Sequence, residues 1–553
     1  MIDTNSNIAN LFVQLHPADD VLVALCDLPV NTEISFKTHR LVLLQPVNAK
    51  HKFFITDMPA GAAVKMYGVL VGTTTSAVKA GMLMSVNNIK HAAQPYRYTG
   101  LQQQWIAPDV AAFASQTFMG YHRSNGKVGT ANYWLFIPTV FCENRNLDVI
   151  KEAFNDALGY AITDKYKQYA AALVQAYIHR QPLEQAAGQL HVPSPANRLF
   201  QNIDGIKFLN HQGGCGGTRQ DAATLGRLLA AYANHPNVAG ITVLSLGCQH
   251  LQTSQLLQDI QALNSSFDKP VLLFEQQQAQ SEEQLIKAAI ADTFTQLIKA
   301  NQQQRQPAPL SKLCMGVKCG GSDGFSGISA NPAVGFAADL LVALGGQVLL
   351  AEFPELCGAE QDILDRCIDE GTAQKFIKLM ESYNAQAHAA GSGFHMNPSP
   401  GNIKDGLITD AIKSAGAAKK GGTSPVVDVL DYTEPVTKNG LSLVCTPGND
   451  VEATTGKAAA GANLILFTTG LGTPTGNPVC PVIKLSTTTT LAQRMPDIID
   501  VDCGSIITGQ KTIEQMGVQI LQYCIQVASG VVTPKAVQLQ QDDFIPWKRG
   551  VSL

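Results

Sequence analysis

The chain of 553 residues predicts an α/β protein, a small all-β unit followed by two α/β units with largely parallel sheets. Three observations carry that prediction. Residues 12 to about 95 are short apolar runs broken by turn residues (VLVALCDL, ISFKTHRLVLL, HKFFITDM, AVKMYGVLVG), a pattern of strands with little helix. Further on, apolar runs alternate with long amphipathic stretches, the order of strand, crossover helix and parallel strand. A domain takes roughly 100 to 200 residues, so a chain this long divides into several units.

Taken in order, the β unit spans residues 1–100, and the polar, weakly periodic stretch 101–116 reads as a linker. The first α/β unit covers 117–305. It opens on NGKVGTANYWLFIPTVFCENRN and includes a helical, glutamine-rich excursion at 147–200. From Ile203 the alternation is regular: GIKFL with loop HQGGCGG and a helix from TRQDAATL, GITVLSLG with CQH and a helix, then PVLLFEQQ and a helix. Thr218 and Asp221 have capping-box spacing at the first of these helices. The second α/β unit, 306–553, repeats the pattern with KLCMGVK, the loop CGGSDGFSGIS, helix PAVGFAADLLVAL and strand QVLLAEF, then LSLVCTPGND and NLILFTTGLGTPTGNP. Asn331 and Pro332 read as the cap and first position of the helix after the CGGSDG loop. No repeat at a fixed period of 20 to 50 residues is found, which argues against a solenoid.

Composition narrows the function. A hydrophobic share of 45% and a charged share of 15% are ordinary for a globular protein, and a net charge of −4 offers no basic field for nucleic acid. No apolar run approaches the roughly 20 residues that cross a bilayer. MIDTNSNIAN lacks the parts of a signal peptide, so a cytoplasmic protein is expected. Twelve scattered cysteines point to reduced thiols rather than a disulfide framework.

Ligands of open parallel sheets bind beyond the carboxyl ends of the strands. Reading the strand ends gives His211 and Cys215, Cys248, Cys319 with Ser322 and Asp323, Glu352 and Glu355, Asn449, and the Thr468–Gly470 run; Cys142 follows an earlier apolar run. The CGGSDG loop is neither a Walker loop nor a dinucleotide fingerprint. Its glycines and the following helix N-terminus suit a carboxylate or phosphate, against the plain alternative of a structural turn. Cys142, Cys215, Cys248 and Cys319 lack zinc-ribbon spacing, and as four thiols beyond apolar runs they suggest a soft-metal or iron site. The other cysteines, Cys357 among them, read as small buried hydrophobes. His211 reads as a base or metal ligand, or as a turn residue. His16, His51 and His91 in the β unit either reach a neighbouring site or stay at the surface, and His235 reads as solvated.

Ten segments together resemble the altronate and galactarate dehydratases, bacterial sugar-acid lyases: HPADDVLVAL with AKHKF, NGKVGTANYW with IPTVFC, HQGGCGGTRQD, LSLGCQ, CGGSDGFSGISANP, EFPELCGAEQ, NPSPGNIKDGLIT, TPGNDVEATT, TTGLGTPTGNP and DFIPWKRGVSL. The FPELCGAEQ segment resembles the altronate branch. Leu471 stands where the family often has arginine, which favours an aldonate over an aldarate. The resemblance implies an N-terminal SAF-type β-clip domain before the two α/β units. It also implies dehydration of D-altronate to 2-dehydro-3-deoxy-D-gluconate in hexuronate catabolism, with Fe(2+), an iron–sulfur cluster or Mn(2+). Galactarate, a sulfonated hydroxy acid, or binding without catalysis are the alternatives. The implied partner is a small sugar acid, with no nucleic acid and no membrane, and a homodimer is admitted.

Dehydrating a 2,3-dihydroxy acid needs a base for the proton beside the carboxylate, an acid for the C3 hydroxyl, and stabilisation of the enediolate. His211 is expected as the base, and Lys484 or His51 as the acid. Ser322, Asp323, Asn402, Asn449 and Thr473 are expected on the substrate, and Cys142, Cys215, Cys248 and Cys319 on the metal. An alternative set places the metal on His211 with Asp323 or Glu352.

Overall fold

The computed structural model describes residues 11–100, 104–161, 165–184 and 198–552. The MIDTNSNIAN terminus, positions 101–103 of the expected linker and positions 162–164 and 185–197 of the expected excursion lie outside the described residues. Residues 11–100 form small antiparallel sheets and, among the described residues, no helix. Hairpins such as Ala63–Met66 with Val69–Thr74 close on two residues at positive φ, Tyr67 and Gly68. One side of the unit, with Val21, Phe54, Val64 and Val71, packs on Phe325, Ile328, Leu407, Ala411 and Ile412 far along the chain. The β unit is therefore seated on the segments that carry the candidate site.

Two parallel sheets follow, whose strands are numbered β1–β11. In the first, Tyr133–Pro138 (β1), Gly205–Phe208 (β2), Val238–Ser245 (β3) and Val271–Glu275 (β4) lie in the order β2-β1-β3-β4, all parallel. All eight residues of β3 are buried, the mark of a strand covered on both faces. Helices Asn144–Leu158 and Glu282–Ala300 cover one face, through Leu147, Ile150, Phe154, Leu285 and Ala289. Helix α1 (Arg219–Asn234) covers the other, and Thr218 caps it by accepting from the Asp221 amide.

The second sheet holds Cys314–Cys319 (β5), Gln347–Ala351 (β6), Val426–Leu430 (β7), Gly440–Val444 (β8), Leu464–Thr469 (β9), Val482–Ser486 (β10) and Val501–Asp502 (β11). Its order is β7-β8-β6-β5-β9-β10-β11, again all parallel. Helices α2 (Ala330–Ala343), α3 (Asp410–Ala418) and α4 (Asp450–Ala460) serve this half. Leu225 and Leu228 of α1 share one core with Ala458 of α4 and with Ile465 and Phe467 of β9, so the two layers are fused across their facing helices. A further antiparallel pairing, Thr117–His122 with Gln306–Pro309, ties the start of the first α/β unit to the start of the second.

Two local expectations are corrected. Helix α2 begins at Ala330 after Ser329, so Asn331 and Pro332 lie in its first turn; the Asn331 side chain donates to the Gly416 carbonyl and accepts from Thr468 instead of capping. His235 is buried, its Nε2 2.8 Å from the Ala462 carbonyl and its Nδ1 accepting from the Asn237 amide, because the sheets close over it. Among the described residues no helix is long and apolar enough to cross a membrane.

Candidate active site

Both sheets have a switch point, where the chain leaves neighbouring strands in opposite directions and a crevice opens at their carboxyl ends. In the second sheet it lies between β5, which leads to β6, and β9, which leads to β10. The loop after β5 and the loop after β9 meet there, with the Gly470 amide donating to the Gly321 carbonyl. A cavity of about 350 Å³ opens beside them, lined by Cys319, Ser322, Glu355, Asn397, Asn402, Lys413, Asn449 and Asp450. Ser399 and Asn402 form a capping box for a short helix, and the Asn402 amide reaches the Ser322 carbonyl. Asn449 caps α4 by accepting from the Val451 and Glu452 amides. Lys413 donates to Glu355 at 3.0 Å and to Asn397 at 2.7 Å. Two polar atoms at this cavity are buried without a hydrogen-bond partner, Glu355 Oε2 and Asn397 Nδ2.

Behind the cavity three buried lysines surround one buried glutamate. Glu352, at the end of β6, pairs with Lys318, with Lys420 at 3.1 Å and with Lys457 at 3.7 Å, and Lys318 also reaches Asp450 at 2.9 Å. Burial pushes the Glu352 carboxyl up, but the three ammonium groups outweigh it and hold the carboxyl well below its usual range. Its backbone is strained, with φ at +74°, a left-handed value unusual for a glutamate. Nothing in the spacing of these lysines along the sequence shows that they converge.

Asp323 is fully buried and does not line the cavity. Its Oδ2 pairs with Lys50 of the β unit at 2.9 Å and accepts from Thr487, and its Oδ1 accepts from Ser326 and the Phe325 amide. The expected substrate contact is thereby corrected to a docking contact between units. His51 places Nε2 3.1 Å from the Lys404 carbonyl, and burial first, then Lys52, lowers its pKa. Lys484 donates to the carbonyls of Thr473 and Thr475 and lies over the Phe467 ring, and burial lowers its pKa to about 7. Thr473 closes the loop after β9 on Thr469, so Lys484 supports that loop from behind.

The cysteines divide between the sheets. In the first sheet the switch lies between β1 and β3. The Phe141 amide donates to Gly213, and the His250 amide donates to Gly214, so the loops after β1, β2 and β3 are stitched together. Cys142, Cys215 and Cys248 stand on these three loops and are exposed. Burial, then the nearness of Cys215 and Cys248, raises the Cys142 thiol. Cys319 is corrected out of this group: it belongs to the other sheet, buried, with Sγ 2.8 Å from Ser322 Oγ and 3.5 Å from Asn331 Nδ2. His211 is also corrected. Both its nitrogens serve backbone, Nε2 at 2.8 Å from the Pro138 carbonyl and Nδ1 accepting from Gly213, and burial lowers its pKa to about 4. It therefore has no free nitrogen for a proton or metal, and Asp323 and Glu352, which stand at the other sheet, are held by Lys50 of the β unit and by Lys420 respectively.

A larger cavity of about 610 Å³ runs beside the cysteine loops, lined by His211, Cys215, Asp221, Glu452 and Trp547 among others. Asn449 and Asp450 line the smaller cavity and Glu452 the larger, so the start of α4 borders both. Lys413 and Asn397 were invisible to strand-end reasoning because they sit on a helix and a turn outside the sheet. The only trace of them in the sequence is the polar cluster in NPSPGNIKDGLITDAIK.

Three family models match the chain in succession. The model of the D-galactarate/altronate dehydratase C-terminal domain matches residues 310–552. The D-galactarate dehydratase/altronate hydrolase second-domain model matches 120–301, and the altronate/galactarate dehydratase SAF domain model matches 10–92. The altronate dehydratase of Escherichia coli (strain K12) is 32% identical over 98% of this chain and 100% of its own length. That of Bacillus subtilis (strain 168) is 30% identical over 98% and 99%. The galactarate dehydratase (L-threo-forming) of Escherichia coli (strain K12) is 30% identical over 94% and 93%.

Proposed function

The chain belongs to the altronate/galactarate dehydratase family and is a hydro-lyase, and from that premise we propose that it removes water from D-altronate to give 2-dehydro-3-deoxy-D-gluconate. The observation that carries this reading is the pair of unsatisfied atoms at the smaller cavity, the acceptor Glu355 Oε2 and the donor Asn397 Nδ2. Buried polar atoms without partners are costly, and a polyhydroxy acid supplies both partners at once. Leu471 supports an aldonate, since it adjoins the Gly321 loop where a cation would be needed for a second carboxylate.

The residues divide the work. The Lys413 ammonium, fixed by Glu355 and Asn397, faces the substrate carboxylate and lowers the cost of enediolate charge. Glu355 takes the C2 proton. That proton passes to Lys413 as Lys413 protonates the departing C3 hydroxyl, so water leaves and the pair returns to its starting state. The C2 enol then tautomerises to the ketone. Asn397, and the Asn449 side chain at the cavity wall, orient the hydroxyls.

A thiolate-held iron centre fits the cysteine rim. A single ion with metal–sulfur bonds of about 2.3 Å would draw its sulfurs within about 4 Å of one another. Cys142, Cys215 and Cys248 do not gather within 4.8 Å, whereas a cluster that takes each sulfur on a different iron suits that wider spacing. When bound, such a centre would supply Lewis-acid polarisation at the larger cavity, which Cys215 lines, while the steps at the smaller cavity rest on Glu355 and Lys413.

The test incubates iron-reconstituted protein with D-altronate and measures 2-keto acid. Turnover on altronate is expected, with Glu355→Gln reducing kcat by about 1,000-fold or more while folding normally. Undiminished turnover in Glu355→Gln would sink the assignment of the base, and galactarate turned over as fast as altronate would sink the substrate.

A further inference from the structure

We propose that His91, Cys357 and Asp410 bind a borderline-soft divalent cation of the zinc class and so clasp the N-terminal β unit to the helix that carries Lys413. The three residues come from distant stretches: His91 follows the strand Ile89–Lys90, Cys357 ends the turn Phe353–Leu356, and Asp410 opens α3. One ligand atom from each lies within 4.8 Å of the other two, and no other such group occurs among the described residues. Imidazole nitrogen, thiolate and carboxylate form a donor set for zinc-like ions, and three protein ligands leave one tetrahedral position for water.

A second observation points the same way. Asp410 is 1% exposed, neither of its carboxylate oxygens has a nitrogen or oxygen partner, and the Cys357 thiol is the donor beside it. A weak thiol donor does not replace the water that a buried carboxylate loses, whereas a cation shared with that thiolate would. Lys413, one turn further along α3, is committed to Glu355 and Asn397 instead.

The chain is shaped to hold the three together. Gly358 has φ at +94°, and a Cβ there would lie 2.9 Å from that of Ala411, so glycine lets the Cys357 loop press on the helix. Thr409 caps α3 and donates to the Val71 carbonyl at 2.8 Å, drawing the helix start onto the β unit. The Ala411 amide lies 3.4 Å from His91 Nδ1, a contact long enough to yield to a metal bond. Cys357 is two residues from Glu355 and Asp410 three from Lys413, so a bound cation would steady the proposed proton-transfer pair from behind.

The test uses the full chain with Cys142, Cys215 and Cys248 all changed to serine, which removes the other thiol site. After chelation and desalting, the protein is titrated with Co2+ alone. Stoichiometric binding is expected, with thiolate-to-cobalt charge-transfer absorption that Zn2+ displaces. Cys357→Ser should abolish that absorption, and Asp410→Asn or His91→Gln should weaken binding by about tenfold or more. No stoichiometric binding, or binding unchanged in Asp410→Asn and His91→Gln, would overturn the proposal. If Cys357→Ser fails to fold, those two variants decide it, since their circular dichroism reports whether they fold. Catalytic activity is not read, so failure here and failure of the dehydratase reading are distinct.

Discussion

His211 is 4% exposed with both ring nitrogens engaged by backbone, and that single fact turns it from an expected base into a structural residue. Burial lowers its pKa to about 4 from an ordinary 6.5, so the folded protein binds the proton less readily than the unfolded chain. The stability from keeping the ring neutral is therefore complete above pH 6.5 and is lost as pH falls from 6.5 towards 4, on the order of 3 kcal/mol in all. Urea midpoints measured from pH 7 to 4 should fall through that window, and the fall should shrink in His211→Gln; an identical pH profile in that variant would contradict the assignment. Glu352 and Glu355 separate in the same way. Glu352→Gln leaves Lys318, Lys420 and Lys457 buried around a neutral amide, so a loss of about 3–5 kcal/mol is expected in chemical denaturation. Glu355→Gln should cost less, because it leaves one buried lysine rather than three without a carboxylate and Lys413 keeps Asn397, and it should remove turnover. Equal stability losses in the two variants would show that the distinction between a structural counter-charge at Glu352 and a base at Glu355 is wrong.

At the scale of elements, the loops at the sheet edges depend on close backbone contact. Gly214 has φ at +96°, and a Cβ there would overlap the Thr139 carbonyl oxygen, so glycine is what lets the loop after β2 touch the loop after β1. Gly214→Ala should part Cys142 from Cys215. In iron reconstitution, the bound iron and sulfide measured per chain should fall to a small fraction of the native value, with the far-UV spectrum unchanged; full iron content would count against a shared site. This is also where legibility in the sequence ends. Strands, crossover helices and the loops that carry Cys142, Cys215 and Cys248 were readable, because alternation of apolar and polar residues is a local property. The order β7-β8-β6-β5-β9-β10-β11 was not, since pairing partners lie far apart in the chain. Without that order nothing separates Cys319 from the other three cysteines. Nor does spacing reveal that Lys318, Lys420 and Lys457, which look like ordinary charged positions, meet inside the protein at Glu352.

For the whole molecule, the N-terminal β unit is built onto the half that carries the proposed site rather than being an appendage. Its apolar side is packed on Phe325, Ile328 and the start of α3, and Lys52 donates to the Gly406 carbonyl at 2.6 Å. The most direct link is Lys50, whose ammonium meets the buried Asp323 at 2.9 Å and so neutralises a carboxylate that anchors the loop between Cys319 and α2. Removing one partner of such a pair costs more than removing both, because the survivor keeps its desolvation penalty. Lys50 is partly exposed, which lets water soften the loss, so Lys50→Met should cost about 1–2 kcal/mol. It should also lower kcat, although Lys50 does not line the cavity, because the Cys319 loop loses its anchor. Asp323→Asn needs no cation, so the double variant Lys50→Met with Asp323→Asn should recover part of the stability lost by Lys50→Met alone. A double-mutant cycle on denaturation midpoints measures that coupling. Strictly additive losses would mean that the β unit docks by its apolar face alone and that the ion pair contributes nothing to holding the loop.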